Sequence, residues 1–335
     1  MLKRNILILG SGSWGTALGQ VLSDNGHHVV LYGNIKEQIN DINRNHKNST
    51  YFKDITINKD IVATDNLNEA FEHYAYPDLI IFAVPTSVLS NVAKSIIPYV
   101  KSKTILLNVA KGYTDDGKSM SDILKECFPD LPILSLLGPS HAEEVIIRKL
   151  TFVNIIDEND LEGYFLSNLF NNFYFKTSVI NDMKGAELGT SFKNAIALMS
   201  GIYEGLGFGD NARAALYTDG LNEMLTLGKI LNCNESTLLN YTGAGDLAVT
   251  CYSSNSRNFT AGLKIGQLNS YTEFAKTNNK TVEGIRTVKF FYNKAQELKI
   301  HLPIISCLYN IIYKNVEPLY AVDNLINKNI GLFDF

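Results

Sequence analysis

Two lysines and one arginine lie in sequence contexts that suit catalysis or anion binding. The first, Lys193, falls in a predicted helix, and its neighbours three and four positions away are small or apolar: Gly189, Thr190, Ile196 and Ala197. A lysine that faces inward has a lowered pKa and can transfer protons near neutral pH. We therefore predict that Lys193 is buried and acts as an acid and base. The alternative is a packed aliphatic stem with its ammonium in solvent.

Lys111 lies at the carboxyl end of a predicted strand and Arg257 at the start of a predicted helix, two places where proteins commonly bind ligands. Lys111 follows a predicted buried strand over residues 104–109, and ligands bind beyond the carboxyl ends of such strands in open α/β sheets. Arg257 follows the polar run S-S-N-S and precedes a predicted helix over residues 259–265. A guanidinium beside a helix N-terminus binds phosphate well. A solvated loop lysine and a simply capped helix are the alternatives.

A glycine-rich turn predicts a dinucleotide site near the start of the chain. The run G-S-G-S-W-G, residues 10–15, directly follows a predicted strand over residues 5–9 and opens a predicted helix over residues 16–25. Gly10 allows the tight turn, Gly12 lets the backbone approach a pyrophosphate, and Gly15 lets the helix pack on the strand. The free N–H groups of the helix N-terminus then face the phosphates.

The choice between NAD and NADP depends on the end of the second predicted strand, residues 28–32. No acidic residue follows it that would bind a ribose 2′-hydroxyl and repel a 2′-phosphate, since the sequence continues G-N-I-K. Lys36 either pairs with a 2′-phosphate or is a solvated loop lysine. We therefore expect NADPH to be accepted with only a modest preference over NADH.

The elements that position these residues divide the chain in two. Short apolar runs alternate with helical patterns in the first half, which predicts a doubly wound, mostly parallel sheet, and runs at 151–157 and 173–176 are predicted as further edge strands. Strand patterns then stop, and long helical patterns follow at 186–205, 211–231, 259–265, 282–298 and 304–314. We predict an α/β domain over residues 1–182 and an all-α domain over residues 183–335.

Composition narrows the class of protein. The 335 residues are 45% hydrophobic and carry a net charge of −4, which predicts a globular chain with no basic surface for nucleic acid. No apolar run reaches the ~20 residues that span a bilayer, and no secretory h-region follows the first residues. Four scattered cysteines and six histidines without metal spacing predict no disulfide framework and no metal site. We expect a cytoplasmic protein.

Taken in order along the chain, these motifs resemble the bacterial NAD(P)-dependent glycerol-3-phosphate dehydrogenase family. The segments that carry the resemblance are G-S-G-S-W-G-T-A (10–17), A-V-P (83–85), A-K-G (110–112), G-P-S (138–140), F-K-N (192–194), G-L-G-F-G-D-N (205–211), G-A-G-D-L (243–247), S-R-N (256–258) and V-E-G (282–284). The resemblance implies a nucleotide-binding domain, a helical domain and an active site in the cleft between them. It also implies reversible reduction of dihydroxyacetone phosphate to sn-glycerol 3-phosphate for the glycerophospholipid backbone, and a homodimer.

The resemblance also implies roles for individual residues. Lys193 is expected to donate and accept the proton, with Lys111 and Asp246 as its catalytic partners. The expected substrate contacts are Lys111, Gly138, Ser140, Lys193, Asp246, Ser256, Arg257 and Asn258. The expected cofactor contacts are Gly10, Gly12, Ser13, Trp14, Gly15, Asn34, Pro85, Lys111, Ala142, Arg257, Thr281 and Glu283. Without the resemblance, Asp246 in the run G-A-G-D would be interpreted as a helix cap in a turn between helices.

The sequence departs from the family pattern in three places. Gly33 and Asn34 stand where a basic residue is common, Thr86 replaces a frequent serine, and His141 replaces a common phenylalanine. Two other hypotheses fit the motifs: a related dehydrogenase for a hydroxy acid or sugar nucleotide, and a catalytically silent NAD(P)-binding sensor. The sensor hypothesis expects lost lysines, whereas Lys111 and Lys193 are both present.

Overall fold

The computed structural model describes residues 2–114, 117–159 and 161–329. These residues form two compact units: the described residues up to 114 and from 118 to 183 make the first, and residue 117 with the described residues from 184 onward make the second.

An eight-stranded sheet is the centre of the first unit. Its strands are β1 (Asn5–Leu9), β2 (His28–Tyr32), β3 (Ile61–Thr64), β4 (Leu79–Phe82), β5 (Ile105–Asn108), β6 (Ile133–Leu137), β7 (Thr151–Ile156) and β8 (Phe175–Ile180). The spatial order is β3-β2-β1-β4-β5-β6-β7-β8, and every pair is parallel except β6 with β7. The predicted doubly wound, mostly parallel sheet is therefore confirmed.

Eight α-helices accompany this sheet in the described part of the first unit, with a 3₁₀ turn at Ile97–Tyr99. They are α1 (Ser13–Asp24), α2 (Lys36–Asn45), α3 (Ser49–Phe52), α4 (Leu67–Glu72), α5 (Thr86–Ile96), α6 (Met120–Cys127), α7 (Ala142–Val145) and α8 (Gly163–Phe170). The helices cover both faces of the sheet, as the alternating side chains of β1 show. Ile6 and Ile8 join the core that α1, α7 and α8 cover, whereas Leu7 and Leu9 join the core under α5 and α6.

One strand prediction was wrong in its position. β8 is an edge strand, as predicted, but β7 lies inside the sheet between β6 and β8. The apolar run of β7 predicts a strand, but it does not specify which strands pair with it. Strand order follows from tertiary contacts. The opposite edge, β3, is only four residues long and was not predicted.

The described residues of the second unit form helices joined by short loops, with no β-strand among them. Its helices are α9 (Met183–Gly205, which begins at the last residue of the first unit), α10 (Asp210–Ile230), α11 (Glu235–Leu238), α12 (Asp246–Tyr252), α13 (Arg257–Leu268), α14 (Tyr271–Thr277), α15 (Glu283–Leu298), α16 (Pro303–Tyr313) and α17 (Pro318–Asn329). A π-helical turn, Tyr241–Gly245, leads directly into α12. The segment around Asp246 is therefore not the simple turn between helices that was predicted.

Glycines let α9 and α13 pack backbone against backbone. A Cβ at Gly201 on α9 would lie 2.1 Å from the carbonyl oxygen of Phe259, and one at Gly262 on α13 would lie 2.0 Å from that of Leu198. No side chain fits at either position, because real Cβ contacts are never this short. The N-terminal end of α13, with Arg257, is thereby fixed relative to α9, which carries Lys193.

Two features are absent from the described residues. None of their helices is long and apolar enough to cross a membrane. None of their histidine, cysteine, aspartate and glutamate side chains cluster in threes with a geometry that could hold a metal ion.

Candidate active site

The glycine-rich turn between β1 and α1 has the geometry of a phosphate cradle. Gly10 has a φ of +119°, and a Cβ there would lie 2.5 Å from the carbonyl oxygen of Ala83. A Cβ at Gly15 would lie 2.0 Å from the carbonyl oxygen of Gly10, so the helix start packs directly on the turn. At Gly12 the space is open, since its nearest neighbour would be the Tyr51 hydroxyl at 4.0 Å. Gly10 and Gly15 thus have the structural roles predicted from the sequence, and the approach of a pyrophosphate to Gly12 stays a prediction that its open space allows.

The N-terminus of α1 is available to an anion. Gly12 is the N-cap residue and offers no side-chain oxygen to the first-turn N–H groups, which belong to Ser13, Trp14 and Gly15. These N–H groups and the partial positive charge of a 12-residue helix suit a pyrophosphate. Trp14 packs partly buried against the core beneath. The open space at Gly12 and this donor set fit the pyrophosphate of a dinucleotide.

Other predicted cofactor residues follow the carboxyl ends of neighbouring strands. Asn34 is exposed and lies two residues after β2, Pro85 is the N-cap residue of α5 after β4, and Ala142 is the first residue of α7 after β6. Because β2, β1, β4, β5 and β6 are parallel neighbours, their carboxyl ends lie on one edge of the sheet. Lys36 is exposed and begins α2.

Lys111 joins the ends of β5 and β6. Its Nζ donates a hydrogen bond of 2.8 Å to the carbonyl oxygen of Gly138, which also accepts one of 3.1 Å from the Ser140 hydroxyl. Gly138 has a φ of +144°, in which a side chain is strained, and a Cβ there would lie 3.1 Å from Val153 Cα. Lys111 is thus a held, half-buried lysine and not the solvated loop lysine of the alternative interpretation.

Lys193 is buried in the second unit, with 7% of its surface exposed. Its Nζ forms an ion pair of 2.6 Å with Oδ1 of Asp246 and donates a hydrogen bond of 2.9 Å to the Thr250 hydroxyl. That hydroxyl donates in turn to the backbone oxygen of Asp246 at 2.6 Å. The inward orientation predicted from its helical neighbours is confirmed, and the charge of Lys193 has a buried counterion, as buried charges require.

Local structure explains why Asp246 reaches Lys193. A Cβ at Gly189, one helical turn before Lys193, would lie 2.6 Å from the backbone oxygen of Thr242, so only glycine lets the π-helical turn approach α9. The Tyr217 hydroxyl on α10 donates to the carbonyl oxygen of Ala244 in that turn. Single π-helical turns of this kind occur frequently at functional sites. Here the turn places Asp246, the first residue of α12, beside Lys193.

The neighbouring thiol remains protonated. Burial raises the pKa of Cys251 on α12 to about 12, and the positive charge of Lys193 opposes that shift. Cys251 is therefore a neutral packing residue near neutral pH.

Arg257 lies within helix α13, whereas the sequence predicted that the helix begins after it, at residue 259. Arg257 is the first residue of α13, and the Ser256 hydroxyl caps it by accepting the N–H of Phe259 at 3.2 Å. The Arg257 side chain is exposed and forms no ion pair with any described residue. Its guanidinium and the first-turn N–H groups of α13 are the donors that an anion would meet. Thr281, exposed, and Glu283, half-buried, flank the start of α15.

Two polar residues of this unit were missed by the sequence analysis. Thr250 follows Asp246 by four positions on one helix, a spacing that could have identified it once Asp246 was chosen. Asn194 is 4% exposed, and its Nδ2 is a buried donor without a hydrogen-bond partner in the described structure. Asn194 directly follows Lys193 in the run F-K-N, and that position could have identified it as a site residue.

A dinucleotide cradle on a doubly wound sheet and a buried lysine–carboxylate pair define a nicotinamide-dependent dehydrogenase with a helical second unit. Family models assign the particular family: the model for the N-terminus of NAD-dependent glycerol-3-phosphate dehydrogenase matches residues 5–161, and the model for its C-terminus matches residues 182–323. The chain belongs to the NAD-dependent glycerol-3-phosphate dehydrogenase family, and it is therefore an oxidoreductase.

Individual relatives agree with the family models. The chain is 41% identical to the glycerol-3-phosphate dehydrogenase [NAD(P)+] of Streptococcus suis, over 94% of this chain and 93% of that protein. It is 39% identical to the enzyme of the same name from Streptococcus pneumoniae, over 98% and 97%. Among solved structures, glycerol-3-phosphate dehydrogenase from Coxiella burnetii has a TM-score of 0.89 and 29% identity, covering 97% of this chain and 99% of that one.

Proposed function

We propose that this chain catalyses the reversible reduction of dihydroxyacetone phosphate to sn-glycerol 3-phosphate with NADH or NADPH, and that Lys193 moves the proton. The observation that carries the proposal is the buried contact of Lys193 with Asp246 and Thr250 in a member of this family. A ketone reduction needs a proton donor at the carbonyl oxygen, and a lysine held protonated by a buried carboxylate supplies one.

The bound nicotinamide supplies the hydride, and the protein supplies the charge and the proton. Negative charge grows on the ketone oxygen as reduction proceeds, so the Lys193 ammonium stabilises that oxygen and then protonates it. Asp246 keeps the ammonium charged before the reaction, and Thr250 fixes its direction. In the oxidative direction, the neutral amine of Lys193 takes the proton back.

Arg257 and the first turn of α13 are the proposed phosphate site, with the Ser256 cap and the backbone N–H of Asn258 contributing. The exposed guanidinium has no competing ion pair among the described residues. We further propose the buried Nδ2 of Asn194 as a donor to a substrate oxygen, because a bound ligand would satisfy it. In the first unit, Lys111, Gly138 and Ser140 are the proposed substrate contacts.

Cofactor binding is proposed for Gly10, Gly12, Ser13, Trp14, Gly15, Asn34, Pro85, Lys111 and Ala142 in the first unit, and for Arg257, Thr281 and Glu283 in the second. No acid among residues 33–36 repels a 2′-phosphate, and no arginine there attracts one. This supports use of both NADPH and NADH with a modest preference for NADPH.

The remaining proposals rest on the family. We propose that the dinucleotide-binding domain ends at residue 182 and the helical catalytic domain starts at residue 183. We also propose that the enzyme is a cytoplasmic homodimer whose product supplies glycerophospholipid synthesis.

The function is tested by following nicotinamide absorbance while the purified protein is mixed with NADPH, then NADH, and dihydroxyacetone phosphate. We expect oxidation of both cofactors, and little oxidation when a 2-keto acid or unphosphorylated dihydroxyacetone replaces the substrate. Activity with the keto acid instead would indicate a hydroxy-acid dehydrogenase. Cofactor binding without turnover of any of these ketones would indicate a silent sensor.

A further inference from the structure

Asn48 is a fully buried residue between α2 and α3 that contacts the glycine-rich turn. Its Nδ2 donates one hydrogen bond of 2.9 Å to the backbone oxygen of Ser11 and another of 2.9 Å to the hydroxyl of Thr16. Ser11 lies within the turn, and Thr16 lies near the start of α1. Asn48 therefore links the segment after β2 to the proposed dinucleotide site, although it lies 37 residues from Ser11 in the sequence.

The Asn48 side chain does not stabilise its own helix. Asn48 is the N-cap residue of α3, a position where asparagine commonly accepts a backbone N–H, but its side chain accepts none there. The Ser11 carbonyl can only accept a hydrogen bond, so Nδ2 must face the turn. Oδ1 is then left buried and has no hydrogen-bond partner in the described structure. The side chain thus holds the turn and does not cap α3.

Ser11 is held at its side chain as well as at its carbonyl. Its hydroxyl donates to Oε1 of Gln38 on α2 at 3.2 Å, and the Thr16 hydroxyl donates to its backbone oxygen at 3.4 Å. A Cβ at Gly33, just after β2, would lie 2.1 Å from the Ser11 hydroxyl oxygen, so a side chain there would displace Ser11. Residues between β2 and α3 therefore fix the backbone of the turn at Ser11.

The peptide bond that follows Ser11 connects its carbonyl to the N–H of Gly12. None of the described peptide bonds is cis, and in a planar trans peptide the C=O and the N–H point in opposite directions. Asn48 binds the Ser11 oxygen, so the Gly12 N–H points away from Asn48. That N–H donates to no other described residue, and the space at Gly12 is open. It is thus an additional donor for an anion beside the first-turn N–H groups of α1.

We infer that Asn48 is a positioning residue for the dinucleotide: it holds the Ser11–Gly12 peptide so that the Gly12 N–H faces the pyrophosphate. Asn48 does not touch the cofactor itself, because it has no exposed surface. A peptide that is already held in the binding orientation does not have to be ordered when the ligand arrives, and this raises affinity. The inference rests on the proposed function, since it concerns the binding of the proposed cofactor.

The test measures Kd for NADPH in the wild type, Asn48→Ala and Asn48→Leu. Trp14 is the single tryptophan of the chain and lies in the first turn of α1, so energy transfer from Trp14 to the reduced nicotinamide reports binding. We expect Kd to rise by about 5- to 30-fold in both variants, as the loss of one or two buried hydrogen bonds implies. ADP-ribose keeps the pyrophosphate and lacks the nicotinamide, and in competition with NADPH it should lose affinity by the same factor. At saturating NADPH, kcat for dihydroxyacetone phosphate reduction should fall by less than about threefold.

Two comparisons separate positioning from stability. Asn48→Leu keeps the branched shape and fills the space that Asn48→Ala leaves empty, so the two variants should differ in Tm and agree in Kd. Asn154→Ala is the matched control. Asn154 is also fully buried in the first unit, its Nδ2 donates to the Ser178 hydroxyl at 2.7 Å, and its Oδ1 has no hydrogen-bond partner in the described structure. This control should lower Tm and leave the Kd for NADPH unchanged.

Three results would overturn the inference: a Kd for NADPH within about twofold of wild type in either folded Asn48 variant, an equal rise of Kd in Asn154→Ala, or a loss confined to kcat. If Asn48→Ala does not fold, Asn48→Leu decides the question alone. A wild type that binds NADPH without reducing dihydroxyacetone phosphate would refute the proposed reaction and leave the Asn48 inference standing. A wild type that binds no NADPH would refute both.

Discussion

Asp246→Asn removes one charge from the buried lysine pair while keeping the shape of the side chain. In the wild type, the side chains of Lys193 and Asp246 are 9% and 1% exposed, and their charged atoms lie 2.6 Å apart. Asparagine can still accept from Nζ through its Oδ1, so the fold should persist. The ammonium of Lys193, however, would then be buried without a counterion.

The magnitude follows from that uncompensated charge. Removing one partner of a buried ion pair typically costs about 3–5 kcal/mol, and a lysine avoids most of this cost by losing its proton. A neutral Lys193 can neither stabilise the developing alkoxide nor protonate it. We therefore expect kcat for ketone reduction to fall by about 10²–10⁴-fold at neutral pH, the usual contribution of a positioned acid.

The assay is kcat for dihydroxyacetone phosphate reduction measured from pH 5.5 to 9. Activity of Asp246→Asn should recover partly toward low pH, where the lysine regains its proton. Asp323→Asn, an exposed carboxylate on α17, is the matched control and should behave as wild type. A kcat for Asp246→Asn within about threefold of wild type across this range would refute the claim that the carboxylate keeps Lys193 protonated.

Three further predictions concern other residues. Arg257→Gln should lower kcat/KM for dihydroxyacetone phosphate by about 10- to 100-fold and penalise unphosphorylated dihydroxyacetone much less, since a charge-assisted bond to the phosphate is lost; equal penalties would make Arg257 a cofactor contact or a cap. Asn34→Asp should shift the ratio of kcat/KM values toward NADH by repelling the 2′-phosphate, whereas an unchanged ratio would place the 2′-phosphate elsewhere. Burial raises the pKa of Glu223 from 4.5 to about 8. The folded state therefore binds the Glu223 proton more tightly than the unfolded state does, and the stability that this proton confers is lost as pH rises from 4.5 to 8. The free energy of unfolding in urea should therefore fall over that range in the wild type by on the order of a few kcal/mol more than in Glu223→Gln, and equal slopes would contradict the raised pKa.

The parts of the fold that the sequence predicted correctly depend on residues close together in the chain. The cradle of Gly10, Gly12 and Gly15 lies within six residues, and its strand and helix flank it directly. The burial of Lys193 followed from neighbours three and four positions away on one helix. Local spacing fixes such geometry because a strand or a helix turn is regular.

The rest depended on tertiary contacts that no local pattern contains. β7 was assigned to an edge because its own residues do not identify β6 and β8 as its neighbours. Lys193 meets Asp246 across 53 residues, and the approach requires a π-helical turn against Gly189. Asn194 and Asn258 lie 64 residues apart, so their hydrogen bond became visible only in the folded structure.

The proton transfer proposed for Lys193 is tested most directly by kcat for dihydroxyacetone phosphate reduction by Lys193→Ala. Binding of NADPH is followed on the same samples by the nicotinamide fluorescence. We predict that kcat falls by about 10²–10⁴-fold because the only buried ammonium proposed to protonate the ketone is gone. NADPH affinity should stay close to that of the wild type, since Lys193 is not among the residues proposed to bind the cofactor. A Lys193→Ala variant that turns over at a near-normal rate would show that Lys193 does not move the proton.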